Sequence, residues 1–378
     1  MSPADALLKS LTEHLEMHAS EWFKSPGAAE VQHLRTQVRR NATLYYFEAQ
    51  TGGSSHAIVV KVPFGRRHSG SGARNAQKTL PDELRILPIS TSEVRGPLEH
   101  ATLSMIYRRF GEDPDERFSA IRVLDYLPEA QALVMVFCPD QNLDNLFVRR
   151  SRLYRHLGSP RIDPPIRNAG AWLRRYHELP PLQETADRAP LRADFLASVD
   201  RLTAYVLETI GESTFLERTR DTIHRAAGTS LPERLPLATN HGDFVPRNIL
   251  VGGSGQVTVF DTRAQWRAPI YEDIARFLVA LSASELQMMG LGWMYRGSEL
   301  AGYESEFLRG YFDQDEVPQH AVRLFECQRL LAIWVASAYQ SSVAGGLRQV
   351  RKTVVLSLRG RHLQRRIHSI LGVLEDDG

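Results

Sequence analysis

The stretch from Asn240 to Asp261 constrains this chain most. It reads NHGDFVPRN, then ILV, GGSG, QVTVF and a closing Asp261. Two short apolar runs, Ile249 to Val251 and Val257 to Phe260, flank a Gly-Gly-Ser-Gly turn, and that pattern predicts a β-hairpin. A polar cluster of His241, Asp243 and Asn248 ends where the first strand begins, and Asp261 ends the second. A hairpin folds back on itself, so Asn248 and Asp261 are expected to approach each other. Two oxygen donors there suit Mg²⁺, which is usually held by one or two side chains plus phosphate oxygens.

Phosphoryl transfer needs a grip on the triphosphate, a metal to bridge it, and a group to position the attacking hydroxyl. Asp243, in the loop before the hairpin, suits the last task. Gly242 permits a positive-φ backbone beside it, and Pro246 stiffens the loop. His241 is expected to orient the loop by hydrogen bonding. Lys61, near the end of a strand in AIVVKV, would reach the α/β phosphates, held by a carboxylate from the helix that follows. Glu99 is the first choice for that carboxylate and Glu93 its rival. Taken alone, Lys61 reads as a charge on an edge strand.

Around these residues the patterning predicts a leading amphipathic helix. Strands follow at 31–38, 44–50 and 56–62, with a turn at Thr51-Gly52-Gly53-Ser54. A polar Gly/Ser/Arg-rich insertion spans 64–97, long enough to read as a surface loop or a lid. A helix over 98–110, two strands at 121–126 and 132–137, and a break at Cys138-Pro139 come next. Helices are expected over 143–150 and from Asp163, with Ile166, Ala169, Leu173 and Tyr176 facing a core. His177 is expected to be a packed or capping residue. One helical stretch is expected over 189–227, with others over 271–281, 304–312 and 321–339. A last basic helix over 347–374, interrupted at Gly360, should dock its apolar face and solvate its arginines. Contact with an anionic membrane surface is the alternative for that helix.

HGDFVPRN followed by a hairpin and VFD resembles the H-G-D-x-x-x-x-N and hydrophobic-D motifs of the aminoglycoside phosphotransferase family, and the resemblance spans about residues 30 to 340. It implies a protein-kinase-like α+β fold with a small antiparallel β-sheet N-lobe and a larger, mostly helical C-lobe. The expected division is 1–29 as an N-terminal helix, 30–138 as the nucleotide-binding lobe, 139–346 as the helical lobe, and 347–378 as the basic helix. The resemblance implies Asp243 as catalytic base, assisted by His241. It implies Asn248 and Asp261 as metal ligands, Lys61 and Glu99 on the nucleotide, Phe137 and Cys138 as the hinge, and Asp273 as a structural carboxylate at a helix start. The loop between the first two strands reads RRNAT where a glycine-rich stretch is usual. Asn41 matches the polar residue often found there, and Arg39 or Arg40 could add charge. Val245 stands where protein kinases carry a phosphate-contacting lysine, so Arg263 or Arg247 is expected to replace that charge.

The implied cofactors are Mg²⁺ and ATP, with GTP an open alternative, and the implied partners are a nucleotide and a small-molecule hydroxyl acceptor. Only about a dozen residues separate Asp261 from Asp273, too few for a peptide-docking segment. A polycationic acceptor would want carboxylates such as Asp194, Asp200, Glu304 or Glu306, but their helical settings read as solvated faces. The Arg-rich insertion points instead toward a sugar, polyol or phosphorylated metabolite. The competing class is a non-catalytic nucleotide-binding scaffold, which the glycine-poor RRNAT loop would fit. Net charge is only +2, and no aromatic platform or nucleic-acid motif accompanies the basic helix, so nucleic acid is not expected as a partner. Two distant cysteines fit a reducing cytoplasm. Neither a secretory leader nor a membrane span is expected.

Overall fold

The computed structural model describes residues 2–39, 42–63, 84, 92–154, 156, 161–182, 190–211, 213–262, 267–342 and 347–376, with backbone alone at 92–95, 210, 286, 340–342 and 347–357. Arg40, Asn41, Arg263, Gly345, Gly346, most of the 64–97 insertion and the Glu93 side chain lie outside this description. The chain divides into two compact units. One is Met1–Asn75, Ser90–Asp140 and Thr258–Phe260, and the other is Ala76–Ile89, Gln141–Val257 and Asp261–Gly378.

The first unit opens with α1 (Pro3–Trp22), started by a reciprocal Ser2–Asp5 capping box. Strands β1 (Glu30–Val38), β2 (Ala42–Thr51) and β3 (Ser54–Pro63) follow, then α2 (Ser92–Ile106), β4 (Phe118–Ser119), β5 (Val123–Leu127) and β6 (Ala132–Val136). The main sheet is antiparallel in the order β1-β2-β3-β6-β5. Lys61 pairs with Leu44 on one side and Leu133 on the other, so β3 is an inner strand and Lys61 is no edge charge. Leu11, Leu15 and Ala19 of α1 bury against Val31, Phe47, Ile58, Val60 and Val134 of the sheet. Each such leucine contributes about 2 kcal/mol by leaving water. The helix expected from Leu98 starts earlier, at Ser92, with Pro97 inside it, and its last turn widens into a π-type turn over Tyr107–Gly111.

The second unit begins with β7 (Gln141–Asn142) and α3 (Leu143–Arg150), which Asn142 caps by accepting the Asn145 N–H at 2.8 Å. It continues with α4 (Asp163–His177), α5 (Arg192–Ile210), α6 (Thr214–Ser230), β8 (Leu237–Thr239), β9 (Ile249–Val251), β11 (Arg267–Pro269), α7 (Ile270–Ser282), α8 (Glu285–Met289), α9 (Gly297–Phe312), α10 (Gln319–Ser342) and α11 (Leu347–Asp376), while β10 (Val257–Val259), between β9 and β11 in the chain, belongs from Thr258 onward to the first unit. The single helix expected over 189–227 is two. Gly211 takes φ 90 and ends the first, and Ser213 caps the second. The hairpin turn between β9 and β10 is closed by Gly252 N–H donating to Gln256 O at 2.9 Å. Pairing of Thr239 with Arg267 across β8 and β11 brings the segment before His241 beside the segment before Asp273.

The C-terminal helix corrects two expectations. It runs through Gly360 without a break, because one glycine costs a helix only about 1 kcal/mol and the packing of Leu363, Ile367, Ile370 and Leu371, all buried, exceeds that. Its apolar face docks as expected, but Arg366 is not solvated. Arg366 and Arg323 enclose Glu304 and Glu326, with Arg366 Nη2 2.6 Å from Glu326 and Arg323 Nη2 3.0 Å from Glu304. Glu304, expected on a solvated face, is therefore buried by α10 and α11. Among the described residues no helix is long and apolar enough to cross a membrane.

Helices α4 and α9 cross at Gly170 and Gly310. A Cβ on Gly170 would collide with the Phe307 carbonyl, and one on Gly310 with the Arg167 carbonyl. Gly310→Ala is expected to lower the unfolding free energy by about 3 kcal/mol or more. Gly228→Ala, on α6 with open space around it, is expected to raise it by roughly 0.5–1 kcal/mol. Urea denaturation followed by circular dichroism checks both.

Candidate active site

The loop from Asn240 to Asn248 is built around Asp273. This carboxylate, on the first turn of α7 and fully buried, accepts the backbone N–H of His241 at 2.6 Å and of Gly242 at 3.0 Å. His177 Nε2 lies 3.3 Å away, and His177 Nδ1 meets the Tyr311 hydroxyl at 2.8 Å. Burial alone would raise the Asp273 pKa. The His177 hydrogen bond and the charges of His177, His241 and Arg276 outweigh it and hold the group below the ordinary carboxylate range. Two adjacent N–H groups can converge on one carboxylate because Gly242 takes φ 76, which a side chain would resist.

His241 Nδ1 accepts the Asp243 N–H at 3.3 Å, so in the neutral ring the proton sits on Nε2. Burial depresses the imidazole pKa, against the pull of Asp273, Asp243 and Asp261. From below, Phe244 anchors the loop. It is fully buried, with ring centroids 6.0 Å from Trp172 and 5.7 Å from Phe277, and Phe277 stacks on Phe307 at 4.1 Å. Such aromatic pairs add roughly 0.5–1.5 kcal/mol each beyond their buried area.

After Phe244 the chain makes a 3-10 turn over Pro246–Asn248 and enters β9. Asn248 Nδ2 donates to the Asp243 backbone oxygen at 2.9 Å and to its carboxylate at 3.2 Å. With its nitrogen committed there, the Asn248 oxygen is the atom it has to offer a metal. The Asp243 carboxylate also accepts from Arg247 Nη2 at 2.9 Å, and Arg276 Nη1 stands 3.7 Å from its other oxygen. Asp261 adopts φ 58, a left-handed conformation that Asp tolerates better than most residues. Thr262, next in the chain, is tied to the buried Tyr176 hydroxyl at 2.8 Å.

In the first unit, Lys61 Nζ donates to Glu99 Oε1 at 2.5 Å, with both side chains largely buried. The pair bridges β3 and α2. The Phe137 N–H donates to Ala57 O at 2.9 Å, and its ring meets Tyr46 edge-on at 5.5 Å. Cys138 donates to Asp140 at 3.3 Å, and burial pushes its thiol up to about 11.

A cavity of about 490 Å³ opens beside Asp243 within the second unit. Its walls include Asp144, Phe147, Arg247, Arg276, Tyr295 and Arg329. The acidic candidates singled out for a cationic acceptor are elsewhere. Glu304 is in the buried network, Glu306 pairs with Arg167, Asp200 with His224, and Asp194 caps α5. Sequence reasoning missed Arg276 and Asp144. Arg276 was findable: it stands three residues after Asp273 on one helix, hence on the same face.

Burial also holds the His362 imidazole below its ordinary range, helped by Arg366 and Arg365. The unfolded chain protonates its histidines near pH ~6.5, whereas folded His241 and His362 do so only at lower pH. Their contribution is therefore flat above that value. Below it, stability is expected to fall by up to about 1.4 kcal/mol per pH unit per histidine. Urea unfolding from pH 7.5 to 5 checks the slope, and His241→Gln is expected to make it shallower.

The family model described as "Phosphotransferase enzyme family" matches residues 112–320. The curated proteins contain no match to the chain. Among solved structures, the chain is similar to a candidate aminoglycoside phosphotransferase from Ralstonia eutropha JMP134, with 12% identity, 94% of this chain and 97% of that chain covered, and a TM-score of 0.56. It is also similar to a macrolide 2'-phosphotransferase from Brachybacterium faecium, with 11% identity, coverage of 93% and 97%, and a TM-score of 0.50. These likenesses establish the fold as the protein-kinase-like one, with a small antiparallel sheet and a larger helical part. The match over more than half of its length establishes that the chain belongs to the phosphotransferase enzyme family.

Proposed function

We propose that the protein is a Mg²⁺- and ATP-dependent kinase that transfers the γ-phosphoryl group to a hydroxyl of a small molecule. The observation that carries this reading is the loop frame. Asp273 fixes the backbone at His241 and Gly242, and Asn248 fixes the Asp243 carboxylate. A carboxylate held in this way can orient a hydroxyl and take its proton as the new O–P bond forms and the bond to ADP breaks.

Asn248 and Asp261 are the proposed metal ligands. The hard oxygens they offer fit Mg²⁺, which would supply charge neutralisation to the nucleotide phosphates. Lys61, positioned by Glu99, is the proposed contact to the α/β phosphates, with Asn41 on the glycine-poor loop and Phe137 and Cys138 along the nucleotide base. His241 serves as a positioning residue, its Nδ1 spent on the Asp243 N–H. Arg263 and Arg247 are the two proposed sources of a further phosphate charge, and Arg247 also steadies Asp243. The short connection from Asp261 to Asp273 favours a small molecule over a peptide. Free Cys138 and Cys327 fit a cytoplasmic setting.

Asp243→Asn is expected to leave Mg·nucleotide binding within about threefold and to lower kcat by roughly 10²–10⁴. Asp261→Asn is expected to weaken Mg-dependent nucleotide binding itself. Calorimetric titration with Mg·ADP, together with ADP release over a panel of sugars, polyols, aminocyclitols and amino alcohols, checks both. Mg-dependent nucleotide binding without ADP release for any acceptor would favour the non-catalytic scaffold.

A further inference from the structure

The cavity beside Asp243 carries an unusual charge arrangement for a site that would take a polycation. Arg276 lines it, and only 10% of its side chain is exposed. Its Nε is buried and has no hydrogen-bond partner among the described residues. Its nearest described carboxylate contact is Asp243, at 3.7 Å, longer than a hydrogen bond. Arg329, from α10, joins it in the same wall.

No described carboxylate lies within hydrogen-bond distance of the Arg276 guanidinium. Asp243 already accepts from Arg247 and Asn248. Glu272, beside Arg276 and Arg329, is pushed up to about 8 by burial and makes a poor counter-ion near neutral pH. Burial also raises Asp144, although Arg247 opposes the shift. Glu285 is 87% exposed at the rim and lies 3.6 Å from Arg359. The rest of the wall is mostly apolar, with Phe147, Leu281, Met288, Tyr295 and Ile333 among it.

A buried guanidinium with an unused donor is costly unless something completes its hydrogen bonds. Its fork matches a carboxylate or a phosphate. We infer that the acceptor is a hydroxyl compound with an apolar frame and one anionic group, and that Arg276, with Arg329 beside it, binds that group. The inference rests on the phosphotransferase reading and specifies its substrate class. It makes Arg276 a specificity-determining residue that also helps hold Asp243 in place.

The test is ADP release with Mg·ATP over hydroxyl compounds on matched cyclohexyl and phenyl frames. Each frame carries, at the same position, a carboxylate, a phosphate monoester, a neutral amide or an ammonium group. The carboxylate or the phosphate series is expected to exceed the amide and ammonium series at least tenfold in kcat/KM, and the better of the two identifies the anion. Arg276→Met is expected to raise KM for the anionic series by 30-fold or more and to abolish its advantage, while Mg·ADP binding by calorimetry stays unchanged. Arg276→Lys should retain part of the preference, since it keeps the charge and loses the fork.

Preference for ammonium or neutral compounds would overturn the inference and leave the kinase reading standing. So would an Arg276→Met loss that is equal across all series, which is the signature of a purely structural role. Nucleotide binding without turnover of any anionic compound also counts against the inference. Absence of both Mg·nucleotide binding and ADP release would instead remove the phosphotransferase reading beneath it.

Discussion

The buried carboxylate of Asp273 is the contact on which the candidate site depends. A charge with no access to water is stable only when donors surround it, because desolvation of an unpaired ion costs several kcal/mol. Here the donors are two backbone N–H groups of the loop and the His177 ring. The need to satisfy Asp273 therefore dictates where His241 and Gly242 lie. Asp243, next in the chain, inherits its position from them. Phe244 seals the other side of the loop in an aromatic core, so the backbone is held by charge from one direction and by packing from the other.

The same carboxylate links parts of the chain that are far apart. Thr239 and Arg267 pair across a short ladder, which sets the loop and the α7 start side by side. Tyr176 and His177, adjacent at the end of α4, reach Thr262 and Asp273 respectively. Tyr176 was legible in the sequence as a core position and His177 as a packed residue. Their shared duty toward the site was not legible, because it depends on how α4 lies against α9. That crossing rests on Gly170 and Gly310, whose close approach leaves no periodic signal.

What the sequence made legible was local. A tight loop needs Gly242, and alternating apolar residues mark the strands of the first sheet. The Lys61 pairing with a carboxylate of the following helix was legible with Glu99 as first choice, and the structure shows Lys61 bonded to Glu99. Long-range charge pairing escaped. Arg366 and Glu304 look like solvent-facing residues on amphipathic helices, because nothing near either one announces its partner. In the fold they neutralise each other, with Arg323 and Glu326, inside a helical core. Arg276 escaped for a related reason. Beside the apolar residues that dock α7 it reads as an incidental charge, although its guanidinium is buried next to Asp243.

Asp273 is expected to act on the chemistry through the loop that carries Asp243. A double-mutant cycle in ADP release, comparing Asp273→Asn, Asp243→Asn and the double variant with the unaltered protein, tests it most directly. All four proteins would first be checked for a native circular dichroism spectrum. Strong coupling is expected. Asp273→Asn alone should lower kcat by about 10² or more, yet cost less than about tenfold once Asp243 is already replaced. Losses that simply multiply would contradict it, and would assign Asp273 a role independent of Asp243.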